Sequence, residues 1–152
     1  MKVGFTGTQL GMTPFQKEWL RVHLSRILKS YRTERDPLEF HHGDCVGSDA
    51  EAAEIVREEF RAYKIIGWPS TLTEKRAYFS SDVVHAPFPP LERNRFIVES
   101  TDVLLATPKE RKETVRSGTW ATIRYARKWH AARPHNIIIL WPEKDSQGRL
   151  NL

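Results

Sequence analysis

The sequence predicts an α/β fold: a single Rossmann-like domain with a mostly parallel sheet covered by helices on both faces. Three observations carry that expectation. Short apolar runs alternate with stretches of helical spacing along the chain, the pattern of successive strand–helix–strand units. The junctions that follow three of the runs are rich in glycine and small hydroxyl residues. At 152 residues, 39% of them hydrophobic and with 5 Trp and 7 Phe, the chain has the length and apolar content for one sizeable core.

Lys2–Thr6 reads as a short buried strand with Gly4 and Gly7 about its end. Thr13-Pro14-Phe15-Gln16 then supplies an N-cap, a proline at the first helical position and a capping-box glutamine. Phe15, Trp19, Val22, Leu24, Ile27 and Leu28 recur at helical spacing as far as Ser30. Glu39–His42 reads as a second strand, stopped by Gly43-Asp44, and Ser48-Asp49-Ala50-Glu51 reads as a second capping box opening a helix to Phe60. Ala62–Ile66 is a third strand, ended by Gly67-Trp68-Pro69. From Ser70 to Pro90 the chain is rich in Ser, Thr and Pro, and reads as a long loop with at most a short helix around Glu74–Tyr78. Leu91–Ser100 has helical character, Asp102–Ala106 is a fourth strand, Thr119–Ala131 a helix and Ile137–Trp141 the last strand. The domain so predicted covers residues 1–142, and 143–152 read as a C-terminal tail.

Composition excludes several classes. The hydrophobic content is too high for a disordered chain. No run reaches the about 18 apolar residues of a membrane span, and because the first residues read as entering a strand at once, no signal peptide is expected. A single cysteine excludes an internal disulfide, so the expected location is the cytoplasm. The net charge of +5 favours an anionic partner, although Lys109-Glu110-Arg111-Lys112-Glu113 is mixed in sign and a merely solvated surface gives the same balance.

Three junctions are candidates for chemistry: Gly4-Phe5-Thr6-Gly7-Thr8-Gln9, His42-Gly43-Asp44-Cys45-Val46-Gly47-Ser48-Asp49 and Ser117-Gly118-Thr119-Trp120-Ala121-Thr122. Glycine lets backbone approach a phosphate, a helix start offers free N–H groups, and Ser or Thr adds donors. The order Gly-x-Thr-Gly, His-Gly-Asp-x-x-Gly-x-Asp, Arg-Asn-Arg before a helix, and Ser-Gly-Thr-x-x-Thr resembles the SLOG superfamily from Val3 to Trp141. That superfamily takes in DNA-processing protein A, the LOG nucleotide hydrolases and the small YspA/YpsA-related proteins, to which the chain is most similar. The segment Phe88–Val98 looks like the equivalent stretch of DNA-processing protein A.

The resemblance implies a strand-end pocket for nucleotides or nucleotide-derived signals. Gly7, Thr8 and Gln9 would line one side, with Gly43, Asp44 and Asp49 in the middle. Asn94 and Arg95 would reach in from the helix after the long loop, and Ser117, Gly118, Thr119 and Thr122 would cradle phosphate. LOG enzymes carry a glutamate after their Pro-Gly-Gly-x-Gly-Thr loop, whereas the positions where an acid would fall here are Ala121 and Thr122. Asp44, Asp49 or Asp102 could supply the carboxylate such hydrolysis wants, and nothing in the sequence selects one.

The expected function is therefore binding: a nucleotide, or an ADP-ribose-like or cyclic nucleotide signal, sensed or sequestered. Hydrolysis of a nucleoside 5′-monophosphate to base and ribose phosphate is the first alternative, and single-stranded DNA binding the second. Catalytic residues stay unassigned, and no cofactor, metal or membrane is expected. His41 and His42 are adjacent on a strand and point to opposite faces, so they do not share an ion easily. Asp44 reads equally as a turn cap and Asp49 as a first-turn helix acid. Trp120 suits either a base stack or the core, and Cys45 reads as a small buried residue. A homo-oligomer is expected, through the aromatic stretch Trp68–Phe88.

Overall fold

The computed structural model describes residues 1–31, 37–133 and 136–143. Nearly all of the predicted tail, 144–152, lies outside the described residues. The strands are β1 (Lys2–Gly7), β2 (Glu39–His42), β3 (Lys64–Gly67), β4 (Val83–Val84), β5 (Val103–Thr107) and β6 (Ile137–Ile139). The helices are α1 (Pro14–Ser30), α2 (Ser48–Glu59), α3 (Pro90–Glu99) and α4 (Gly118–Trp129), with a 3₁₀ turn at Thr73–Lys75.

Among the described residues every pairing of these strands is parallel, and the sheet order is β4-β3-β2-β1-β5-β6. The chain moves outward from β1 to β4, then returns to the other side of β1 with β5. The order therefore reverses between β1 and β5, where parallel sheets leave a crevice at their carboxyl ends.

Both faces are covered, for the reason a period of two dictates. Leu105 packs with Phe5, Phe40, Ile65 and the apolar stripe of α1 and α2 (Trp19, Leu20, Leu24, Ala52, Val56). Its neighbours Leu104 and Ala106 face the other way, onto Val98, Ile123, Ala126 and Trp120. Trp120 is thus a core residue, only 4% exposed.

The first capping box forms as read. Thr13 Oγ1 accepts from Gln16 N at 3.1 Å and Gln16 Oε1 accepts from Thr13 N at 3.0 Å. Gln16 Nε2 also donates to the carbonyls of Pro108 and Leu140, clamping the ends of β5 and β6 to α1. The second capping box does not form: α2 is capped by Gly47 without a side-chain hydrogen bond. Its two polar groups serve the β1 loop instead. Ser48 Oγ donates to Thr8 O at 2.6 Å, and Glu51 Oε1 accepts from Met12 N at 2.7 Å while its Oε2 pairs with Lys17. The stretch read as a long loop holds β4, a short edge strand, besides the 3₁₀ turn.

Candidate functional site

A cleft of about 500 Å³ opens at the carboxyl ends of β1, β2 and β5, at the reversal of strand order. Its floor is the end of β1, from Phe5 through Gln9 and Leu10. Gly43, Cys45 and Asp49 form the β2 wall, with Lys75 reaching over from the 3₁₀ turn. The β5 wall consists of Lys109, Glu110, Thr114 and the segment Arg116–Trp120. Arg93, Asn94 and Ile97 of α3 close the third side. The cations Lys75, Arg93, Lys109 and Arg116 outnumber the acids Asp49 and Glu110.

Of the residues named from sequence, Gly7, Thr8, Gln9, Gly43, Asp49, Asn94, Ser117, Gly118 and Thr119 line this cleft. Asp44, Arg95 and Thr122 do not. Asp44 is buried with a φ of 54°, and it organises the long loop: Oδ2 pairs with Arg76 Nε at 2.9 Å and Oδ1 accepts from Phe79 N at 2.8 Å. Arg95 lies on the outer side of α3, its guanidinium 5.2 Å from the Tyr125 ring centre. Helix phase explains the difference. Arg93 shares a face with Ile97 one turn on, while Arg95 is rotated roughly 200° away from Arg93. Thr122 closes on its own helix, Oγ1 donating to Gly118 O at 2.9 Å, and faces the groove behind α4.

Arg93, 6% exposed, is the arginine that reaches inward. Its Nη1 donates to the carbonyls of Gly43 and Trp68, Nε to Asn94 Oδ1 at 2.8 Å, and Nη2 to Cys45 Sγ. It ties the loops after β2 and β3 to α3. The sequence carried a signal for this: Arg93 stands four residues before the buried Ile97. Lys75 had none, because it lies in the illegible loop.

The carboxylates now separate. Asp102 sits at the opposite end of the sheet, accepting from Lys2 N at 2.8 Å. Asp49 is 6% exposed, and its Oδ2 accepts from Gly43 N at 3.1 Å and Cys45 N at 3.2 Å. Burial pushes its carboxyl up to about 6, against the lowering effect of Arg93 and those two amides. Burial, then Asp49, also pushes the Cys45 thiol up, leaving it a poor nucleophile.

His42 and Ser81 stand 2.8 Å apart, Nε2 to Oγ. They do not make a nucleophile and base, since His42 Nδ1 accepts from Asp44 N and the ring hydrogen therefore sits on Nε2, donating to Ser81. Burial lowers His42 to about 4, so it is neutral.

At the β5 wall, Ser117 caps α4, its Oγ accepting from Trp120 N at 3.2 Å. The first N–H groups of α4 have no acceptor within the helix. Within 4 Å of the position a Gly118 Cβ would take there is nothing, so this helix start stands open.

No family model matches the chain, and no curated protein matches it. Among solved structures, the fold is similar to the X-ray structure of TM1055, a Northeast Structural Genomics Consortium target. The TM-score is 0.56 at 18% identity, over 84% of this chain and 69% of that one. The likeness supports the Rossmann-like parallel-sheet fold. Among the described residues, no helix is long and apolar enough to cross a membrane.

Proposed function

We propose that the cleft binds a nucleotide or a nucleotide-derived signal, ADP-ribose-like or cyclic, which the protein senses or sequesters in the cytoplasm. The observation that carries this reading is the open start of α4, which lines the cleft beside Arg116 at the reversal of strand order. Free N–H groups, the positive end of the helix dipole, and Lys109 and Arg116 together suit a phosphate. Membership of the SLOG superfamily belongs to the same reading, supported by the three loops meeting at one sheet edge.

Hydrolysis is the second reading, and Asp49 favours it. A carboxyl pushed up to about 6 in the cleft suits N-glycosidic cleavage, in which water gives its hydroxyl to the ribose C1′ and its proton to the departing base. Self-association is also part of the proposal. Leu72, Tyr78 and Val84 of the long loop are exposed, and a monomer in sedimentation would refute it.

Thermal-shift screening against nucleotides, cyclic nucleotides and ADP-ribose derivatives tests the main reading. Saturation at a hundredfold over the dissociation constant adds roughly 2.7 kcal/mol, a rise of several degrees. A ligand recovered intact by chromatography supports binding, and one recovered as free base supports hydrolysis. No shift with any compound ends the nucleotide reading.

A further inference from the structure

We propose that Asp49 is the sugar contact of the cleft: its carboxylate accepts hydrogen bonds from the vicinal hydroxyls of a ribose, so the site takes ribonucleotides in one orientation. The inference rests on the reading of the cleft as a nucleotide site.

Asp49 lies in the first turn of α2 and lines the cleft, yet is only 6% exposed. Two backbone amides hold Oδ2, while Oδ1 has no hydrogen-bond partner among the described residues. The nearby guanidinium of Arg93 is spent on Gly43 O, Trp68 O, Asn94 Oδ1 and Cys45 Sγ. A role as a first-turn helix acid accounts for the position, and Oδ1, which is not sealed off from solvent, is left free to accept from a ligand in the cleft. Burial pushes the carboxyl up to about 6.

An ionised carboxylate only accepts, so the group it meets must bring donors, and like charge keeps phosphate away. The fold provides a different place for the phosphate. β2 and β5 flank β1, each about 4.8 Å from it, so Asp49, bonded to the loop after β2, and the start of α4, which follows β5, stand on opposite sides of the β1 end. Phosphate goes to the α4 side and donors to the Asp49 side. Within a nucleotide the donors are ribose hydroxyls or a base amino group. Two hydroxyls on adjacent carbons fit a carboxylate next to the cleft floor, whichever base is attached.

The test is calorimetric titration with the four ribonucleoside 5′-monophosphates and their 2′,3′-dideoxy counterparts. The wild type is expected to bind its best ribonucleotide at least about tenfold tighter than the dideoxy form, a hydrogen bond to a charged group being lost. In Asp49→Asn, whose amide oxygen can still accept from Gly43 N and Cys45 N, that ratio is expected to fall to about one. Fluoro analogues at the 2′ or 3′ position, which keep size but cannot donate, check the wild type independently of the variant's folding, and at least one should bind as weakly as the dideoxy form. Equal affinity for ribo and dideoxy forms overturns the inference and leaves the nucleotide reading standing. So does discrimination that tracks the base amino group and not the sugar. Absence of affinity for all of these nucleotides overturns the inference, and the nucleotide reading falls with it only when the cyclic nucleotides and ADP-ribose derivatives give no thermal shift either.

Discussion

The loops after β2 and β5 both carry glycine beside small polar residues, yet they are built in opposite ways. The β2 loop is a knot. Gly43, Asp44, Cys45 and Asp49 are cross-bonded to one another, to Arg93 and to the long loop. Gly47 there has a φ of 85°, and an added Cβ would collide with the backbone of Gln9. The β5 loop is open. Lys109 and Arg116 reach the cleft, and Gly118 has free space around it. One glycine is needed by the fold, and the other is free to serve a ligand. A glycine-rich loop after a strand is therefore not one kind of evidence but two.

The largest effect expected from this contrast is on the knot. Gly47→Ala forces both a left-handed backbone and a backbone collision, and should cost about 3 kcal/mol or more in urea denaturation. A loss below about 1 kcal/mol would mean that the knot is softer than described.

A second effect sharpens the polar side of the same knot. The Asp49 carboxyl is protonated up to about pH 6 when folded, against an ordinary 3.8, so the folded chain holds the extra proton and stability falls as pH rises through that window. His42 runs the other way: its folded value of about 4 lies below the ordinary 6.5, so its contribution is present above 6.5 and is lost as pH falls. The two oppose each other between about pH 4 and 6. Asp49→Asn leaves His42 unopposed, and the variant should lose roughly 1.4 kcal/mol more than wild type for each pH unit of acidification in that range. Parallel pH profiles would refute the buried, raised carboxyl.

The smallest effect belongs outside both loops. Arg95→Ala removes a side chain stacked on Tyr125 at the outer face of α3, so ligand affinity should stay within a factor of two of wild type by titration. A large loss would put Arg95 in the site after all.

Much of this was legible in the chain. Strand order aside, β1, β3, β5 and β6 follow from apolar runs, β2 from the Gly43-Asp44 stop that ends it, and α1 from a capping box that forms as written. The same four-residue signature failed at Ser48–Glu51, because the β1 loop crosses the start of α2 and claims both side chains. β4 was illegible because two residues of edge strand bury too little to leave a pattern. Arg95 was read as facing inward on the resemblance alone, with no helix phase to place it. Counting back from Ile97 and Val98 would have chosen Arg93. Asp49 could be named but not chosen over Asp44 and Asp102, since only the folded chain places the three apart, in a cleft wall, a loop anchor and the far sheet end.

The central claim is that the open start of α4 holds the ligand's phosphate, and Gly118→Val tests it most directly. The substitution places branched carbon where the structure has free space, so the melting temperature should stay within a few degrees of wild type. Affinity for the nucleotide that best stabilises the wild type should fall at least about tenfold in titration calorimetry. Unchanged affinity in a folded variant would contradict the account and move the phosphate elsewhere in the cleft.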